Sequence, residues 1–409
     1  MKTIFLLALR NIFKNKRRTT ITFLSIVTGI ASIIVFGGFV SYTFWGLRES
    51  TIKTQLGHIQ IYTKGYSEKG IAQPNNYLLP NSENLITQIT PLGQVAVITR
   101  RLSASGLLST GEKTLTCKII GVEPDRDAQF NTFETITDGV QLTPQNAQNG
   151  GVIGAELMNA LGAKVGDYVT LLTTTPDGAL NATEFKIIGV AQTGSQDYDS
   201  VFVKLPLSKV QTLLGTSSVE KLIVLLKTTE DLPHFVPKLT NLIAKNNLNI
   251  EFKTWNELAM FYNKVVNLYK GLFKVITLII GVIILLGVTN TMTMSIFERV
   301  HEIGTLRAIG TTKNGVLLLF IMEGKLLGII GGLLGVGIGV LIATIINFAG
   351  GIYIPPPPGM SRGYMTFILT PFPLLAFAFL FSVIITTIAS IYPSYRASRL
   401  NIVDALGHN

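Results

Sequence analysis

The stretch FERVHEIGTLRAIGTTKNG, from Phe297 to Gly315, separates two of the most apolar segments of the chain and carries Glu298, Arg299, Glu302, Arg307 and Lys313. A bare connector between two hydrophobic helices needs only a few polar residues. This one reads instead as a short charged helix with a surface to present. What that surface can touch depends on the side of the membrane it occupies.

The neighbouring segments establish that a membrane is involved. The chain has 409 residues, 47% of them hydrophobic. No charged residue lies between Arg18 and Arg48, between Lys274 and Glu298, between Lys325 and Arg362, or between Arg362 and Arg396. Each window exceeds the roughly 20 apolar residues that cross a bilayer as a helix. Spans are expected at 19–45, within 266–296, at 314–349 and at 371–394. The first follows the basic KNKRRTT but is too long for a signal-peptide core and lacks a small-x-small cleavage site, so it reads as an uncleaved anchor.

Charge then orients the spans. Between Arg48 and Lys270 there are 20 basic and 20 acidic residues. The other 14 basic and 4 acidic residues flank or interrupt the spans and account for the whole net charge of +10. Lys2, Arg10, Lys14, Lys16, Arg17 and Arg18 precede the first span. Arg299, Arg307 and Lys313 lie in the second connection, and Arg396 and Arg399 follow the last span. Lys and Arg concentrate on the cytoplasmic side. The basic helix expected at 1–18, the connector at 297–313 and the tail at 395–409 are therefore placed in the cytoplasm. Residues 46–265 and the outer loop at 350–370 are placed outside. The basic balance is a topology signal and excludes a nucleic-acid partner.

Residues 46–265 alternate strand and helix signals, an α+β pattern with a possible division into two lobes. HIQIY, His58 to Tyr62, alternates like a half-buried strand. RLSASGLLSTGEKTLTCKIIGV reads as a hairpin turning at Thr110–Lys113. VIGAELMNALGAKVGDYVTLL reads as a short helix ended by Gly162, a turn and a strand. Cys117 is the only cysteine, so this domain is stabilised by its core without an internal disulfide. The histidines His58, His234, His301 and His408 are far apart, so no metal site is expected. Asp125 and Asp127 have the spacing of paired carboxylates but sit in EPDRDAQ, which reads as a solvated loop; no catalytic residues are expected. From Trp255 the sequence runs without a break into the second span, predicting one long stalk helix.

Gly331, Gly335 and Gly339 repeat every four residues in the third span, a stripe that lets helices approach closely, within the bundle or across a dimer. Glu323 and Lys325 are costly deep in lipid and are expected at headgroup level rather than on an ion pathway. The outer loop carries Pro355–Pro358, an extended, stiff run. In the connector, Val300, Ile303, Leu306 and Ile309 form a modest apolar stripe beside its charges. Two acids there would be repelled by an anionic leaflet, which favours a protein partner.

ERVHEIGTLRAIGTTKNGVLLLFIMEG resembles the coupling region of the MacB/LolC/LolE/FtsX superfamily of ABC-transporter permeases. LALRNIFKNKRRTTITFLSIVTGI near the amino terminus, VIGAELMNALGAKVGDYVTLL and KIIGVAQTG in the outer domain, and the terminal YPSYRASRLNIVDAL resemble it too. The resemblance implies a membrane α-helical fold of four transmembrane helices, with an α+β extracytoplasmic domain inserted between spans one and two. It implies two permease copies, as a homodimer or related heterodimer, and an ABC ATPase dimer docked at Glu298, Arg299, His301, Glu302, Ile303, Leu306, Arg307 and Gly310. It further implies a lateral cargo cleft at Phe39, Val40, Phe44, Leu268, Leu272 and Val275. Force would pass through the long helices to the outer domain. No GxxxxGK[ST] phosphate loop occurs, so this chain holds no cofactor; ATP and Mg are expected on a separate ATPase.

The expected function is the non-enzymatic permease subunit of a bacterial inner-membrane complex. Both termini would be cytoplasmic and the large domain periplasmic. Its cargo would be a lipoprotein or another lipid-anchored molecule, with a periplasmic carrier or adaptor as a further partner. The turn in TTTPDGALNATEFKII is short for a carrier-docking hook. Two alternatives stay open: tripartite efflux of macrolide-like drugs or peptides, and an FtsX-like regulator of a cell-wall hydrolase.

Overall fold

The structure, a computed structural model, describes residues 16–70, 73–130, 134–356 and 363–401. Nearly all of the expected basic helix at 1–18, and the tail beyond residue 401, lie outside the described residues; so do Pro357 and Pro358 of the proline run. The chain divides into two compact units, one helical and one built on Gly46–Lys264.

The helical unit comprises α1 (Lys16–Thr51), α2 (Met260–Glu298), the short α3 (Val300–Ala308), α4 (Lys313–Phe348) and α5 (Phe372–Ser398). All but α3 are long and apolar enough to cross a membrane. α1 and α2 run past the ends expected from hydropathy, because hydropathy marks only the stretch suited to lipid. The helix expected to begin at Trp255 is interrupted. Thr254 and Glu257 form a capping box around the single turn Trp255–Leu258, and Ala259 leaves helical geometry (φ −82°, ψ 58°) before α2 begins. A capping box satisfies the exposed N–H groups of a helix start, so a helix does start at Trp255, and the break falls one turn later, at Ala259.

Two glycine stripes on α4 set the packing. A Cβ on Gly331, Gly335 or Gly339 would meet Ile26, Ile30 or Ile34 of α1, so these two helices run parallel. The expected stripe therefore packs within the chain. A second stripe, Gly324, Gly328 and Gly332, faces Ser390, Thr386 and Ser382 of the antiparallel α5, and the Ser382 hydroxyl donates to the Gly328 carbonyl at 2.9 Å. α2 closes the bundle against α1 through a 2.6 Å hydrogen bond between the Thr22 and Thr291 hydroxyls, and against α5 through Thr289 donating to the Ala389 carbonyl at 3.1 Å. These directions place α3 at the end of the bundle opposite the one where the chain leaves for residues 46–264.

The outer unit is a ten-stranded sheet. Its strands are β1 (Ile59–Thr63), β2 (Val95–Ser109), β3 (Thr114–Val122), β4 (Thr135–Gly139), β5 (Gly150–Gly154), β6 (Tyr168–Thr174), β7 (Leu180–Gln192), β8 (Phe202–Pro206), β9 (Lys221–Leu226) and β10 (Ile250–Thr254). The order is β10-β1-β9-β2-β3-β8-β5-β7-β4, with β6 pairing β2 and β7. β2 is long enough to serve two halves: its first residues pair with β9, and Leu102–Ser109 pair with β3. The hairpin turns at Thr110–Lys113, and Gly162, at φ +72°, ends the helix Ala155–Leu161. β1 departs from its half-buried expectation. It lies between β10 and β9, and its polar members are buried too, Gln60 donating to the Leu56 carbonyl at 2.8 Å and accepting from the Tyr62 hydroxyl.

Asp127 is also buried, which corrects the solvated-loop expectation for it; Asp125 is exposed. Asp127 sits in the helix Pro124–Phe130 and accepts from Arg101 at 2.6 Å and Lys204 at 3.0 Å. Burial opposes the charge of Lys204, but Asp127 and Glu134 outweigh it and hold its pKa above the ordinary lysine value. His58 is 1% exposed. Its Nδ1 accepts from the Leu226 N–H at 3.0 Å, which leaves Nε2–H to donate to Thr229 at 3.0 Å; the Thr229 hydroxyl donates to Glu49 at 3.1 Å. Burial outweighs the pull of Glu49 and lowers the His58 pKa from 6.5 to about 4.

Two outcomes follow. Gly335→Leu should cost about 1–3 kcal/mol in detergent unfolding, since a Cβ there would lie 2.7 Å from Ile30 Cβ; Gly337→Leu, with open space around it, should cost nearly nothing. The unfolded chain protonates position 58 near pH 6.5 and the folded chain near pH 4. Folding stability should therefore be full above about pH 6.5 and fall by about 3 kcal/mol as the pH drops to about 4. His58→Asn should flatten that part of the stability–pH curve.

Candidate functional site

The candidate site is the α2–α3–α4 connection. α2 ends at Glu298, Arg299 breaks helical geometry (φ −117°, ψ 18°), and α3 occupies Val300–Ala308, a shorter helix than the 297–313 expected. Gly310, at φ +104°, ends it: the Gly310 N–H bonds to the Arg307 carbonyl at 3.1 Å and the Thr311 N–H to the Leu306 carbonyl at 3.0 Å. A residue with a Cβ is strained in that conformation. Thr312 then caps α4, its hydroxyl accepting from the Gly315 N–H at 3.2 Å.

Two arginines brace this connection. Arg299 donates from Nη1 to Glu323 of α4 at 3.0 Å and from Nε to Glu302 at 3.0 Å, and its guanidinium lies 5.1 Å from the centre of the Phe320 ring. Arg299 and Glu323 are 8% and 3% exposed. Glu323 is thus turned into the bundle and paired, whereas Lys325 is exposed. Arg307 donates to the carbonyls of Leu400 at 2.9 Å and Ser398 at 3.4 Å. These are carbonyls left over at the end of α5, and a cation there also complements the helix dipole. α3 is therefore fastened to α4 by one arginine and to α5 by the other.

The residues singled out from sequence fall into two groups. Glu298, His301 and Gly310 are exposed. Arg299 and Ile303 are buried, and Glu302, Leu306 and Arg307 are half-buried and turned to the brace or the core. The apolar stripe splits as well: Val300 and Ile303 are buried while Ile309 is 80% exposed. Three-residue steps advance about 300° on a helix, so four such positions swing to the opposite face. Phe297, 61% exposed, and Ile309 join Glu298 and His301 on the outer surface. The helical step carried this signal; triplet spacing concealed it.

The six cleft residues are divided between α1 and α2. The line of α2 that meets α1 runs through Tyr269, Phe273, Ile280 and Ile284, with Phe36 stacked on Phe273 at 6.2 Å and Phe44 edge-on to Tyr269 at 6.0 Å. Leu268, Leu272 and Val275 lie on exposed faces beside that line. Val40 is buried and Phe39 half-buried. Among the described residues no group of His, Cys, Asp and Glu is placed to hold a metal ion.

Comparison with known proteins adds the following. The MacB-like periplasmic core domain family matches residues 19–242, and the FtsX-like permease C-terminal family matches residues 274–402. The pyoverdine export ATP-binding/permease protein PvdT of Pseudomonas fluorescens (strain Pf0-1) is 25% identical over 98% of this chain and 58% of its own length. This chain thus spans little more than half of that relative. The ABC transporter permease YknZ of Bacillus subtilis (strain 168) is 23% identical over 98% of this chain and 97% of its own. The macrolide export ATP-binding/permease protein MacB of Escherichia coli (strain K12) is 30% identical over 54% of this chain and 33% of its own. Among solved structures, the extracellular domain of the noncanonical ABC-type transporter YknZ from Gram-positive bacteria covers 48% of this chain and 99% of its own, at 14% identity and a TM-score of 0.35.

The Arg299 brace is open to a direct test. Arg299→Ala or Glu323→Ala strands a buried charge and should cost about 3–5 kcal/mol in detergent unfolding. The double variant Arg299→Met/Glu323→Leu should recover most of that loss.

Proposed function

This chain belongs to the MacB/FtsX superfamily of ABC-transporter permeases, and from that premise we propose that it relays the motion of a separate ATPase to its extracytoplasmic domain. The observation that carries this reading is the double brace of α3. A displacement of α3 moves α4 through Arg299–Glu323 and α5 through Arg307, and the connection around α3 offers the exposed residues Phe297, Glu298, His301 and Ile309 to a partner. No phosphate loop lies within these 409 residues, so the ATP- and Mg-binding part lies outside them. A named permease matched over nearly its whole length supports an ATPase on its own chain. The connector's side and the end of the chain are the cytoplasmic face of the inner membrane, as the basic excess directs, and the permease works as two copies.

The cargo is a lipid-anchored or otherwise hydrophobic molecule taken from the outer leaflet. α1 and α2, of 36 and 39 residues, are about 54 and 58 Å long, nearly twice the hydrocarbon thickness, and serve as levers. The names of the pyoverdine and macrolide exporters favour a second reading, export of an amphiphilic small molecule. The tight β6–β7 turn, closed by the Thr175 N–H on the Ala179 carbonyl at 2.8 Å, gives no extended hook for a lipoprotein carrier.

Ile309→Asp should leave the purified permease folded and reduce ATPase co-purification and cargo-dependent ATP hydrolysis at least tenfold. Undiminished recruitment would remove α3 as the docking element. Mass spectrometry of molecules retained by the wild-type complex separates the two cargo readings: acylated protein supports the first, a small amphiphile the second.

A further inference from the structure

We propose that the end of α5 is a binding site for the phosphate headgroup of an anionic phospholipid, held by Arg396 and Arg399. The proposal rests on reading α5 as a membrane span.

Depth comes first. α5 has 27 residues, and about 20 of them cross the hydrocarbon; counted from Phe372, the boundary falls near Ile391. Tyr392 to Arg399 then lie in the headgroup layer. The neighbouring helix agrees. A Cβ on Gly324 would meet Ser390 Cβ, so the adjacent Lys325 is level with Ser390, and Lys325 is exposed. An exposed ammonium at that level is tolerable only where the headgroups are within reach.

The face itself is built for an anion. Pro393, Ser394, Ala397 and Ser398 point into the bundle, while Tyr392, Tyr395, Arg396 and Arg399 point out. The Arg399 guanidinium stacks on the Tyr395 ring at 4.5 Å, and that of Arg396 lies 6.0 Å from the Tyr392 ring. A guanidinium over an aromatic face keeps its planar fork of N–H donors available to bind phosphate oxygens in pairs. α5 contains no acidic residue, and among the described residues no carboxylate pairs with Arg396 or Arg399. Arg299 and Arg307, also at this end of the bundle, are consumed internally by Glu323, Glu302 and carbonyl groups. Tyrosine rings at a membrane interface and a purely basic face together select a lipid over an acidic peptide. Because Arg307 grips the carbonyls just beside this face, an occupied headgroup site steadies the end of α5 to which α3 is fastened.

The test uses the full chain in detergent, titrated with phosphatidylglycerol and followed by native mass spectrometry. Arg396→Gln/Arg399→Gln should weaken retention of phosphatidylglycerol roughly 25-fold, the weight of two interfacial charges. Phosphatidylcholine should bind the wild type weakly and the variant equally weakly. Arg396→Lys/Arg399→Lys, which keeps charge but loses the stacked fork, should fall between. Competition by inorganic phosphate at millimolar concentration would show a free-anion site and overturn the lipid assignment. Equal retention of both lipids by wild type and variant would overturn the site. Unchanged lipid retention with lost ATPase recruitment would reassign the face to the ATPase. The lipid readout requires no ATPase, so it stands apart from the docking assignment.

Discussion

Close approach of helices without side chains between them is the constraint on which the membrane unit depends. In lipid, apolar side chains gain little by leaving one greasy environment for another, so helices associate through contact area and hydrogen bonds. α4 meets this with two glycine stripes a quarter-turn or so apart, one receiving Ile26, Ile30 and Ile34 of α1 and the other Ser382, Thr386 and Ser390 of α5. The second interface adds a hydroxyl-to-carbonyl bond at Gly328. α4 is thereby the axis on which the other helices are assembled.

On that axis, two kinds of polar interaction do different work. Arg299 and Glu323 are both nearly inaccessible, and such a pair roughly breaks even against an apolar substitute. Its contribution lies in fixing α3 in one place, since either partner alone is strongly unfavourable. Arg307 instead satisfies carbonyls that the end of α5 would otherwise leave to water. Placement of α3 is consequently enforced twice, by mechanisms that do not share a residue. A coupling element has to transmit displacement, and a singly attached helix would pivot.

The outer unit shows the same economy with polar groups. Arg101, Asp127 and Lys204 form a buried network, and His58 joins the Leu226 N–H to Thr229 and Glu49 as a neutral ring. Its largest apolar cluster includes Ile59, Leu102, Phe185, Val203 and Phe235, and two smaller ones gather around Phe130 and Phe202. In the absence of a disulfide, Cys117 is simply a buried apolar member, its thiol pushed up to about 12 by burial.

The four membrane helices, the inserted α+β domain and the charged connector were legible because length, apolar runs and charge asymmetry are local or additive properties of a sequence. So was the Gly331–Gly339 stripe, since a four-residue repeat of small residues has one steric meaning. The partners were not. Nothing in EPDRDAQ announces that Asp127 turns inward to Arg101 and Lys204, and nothing in IMEGKLLG announces that Glu323 is claimed by Arg299, 24 positions earlier. The stripe through Ile309 failed for a related reason: a small error in step accumulates until the residue faces the other way. Sequence determines which groups must be buried, spanned or kept wet, because that cost belongs to each residue. Tertiary structure alone decides which group answers which, because a partner is chosen by distance in space, and the chain's own order carries no record of it.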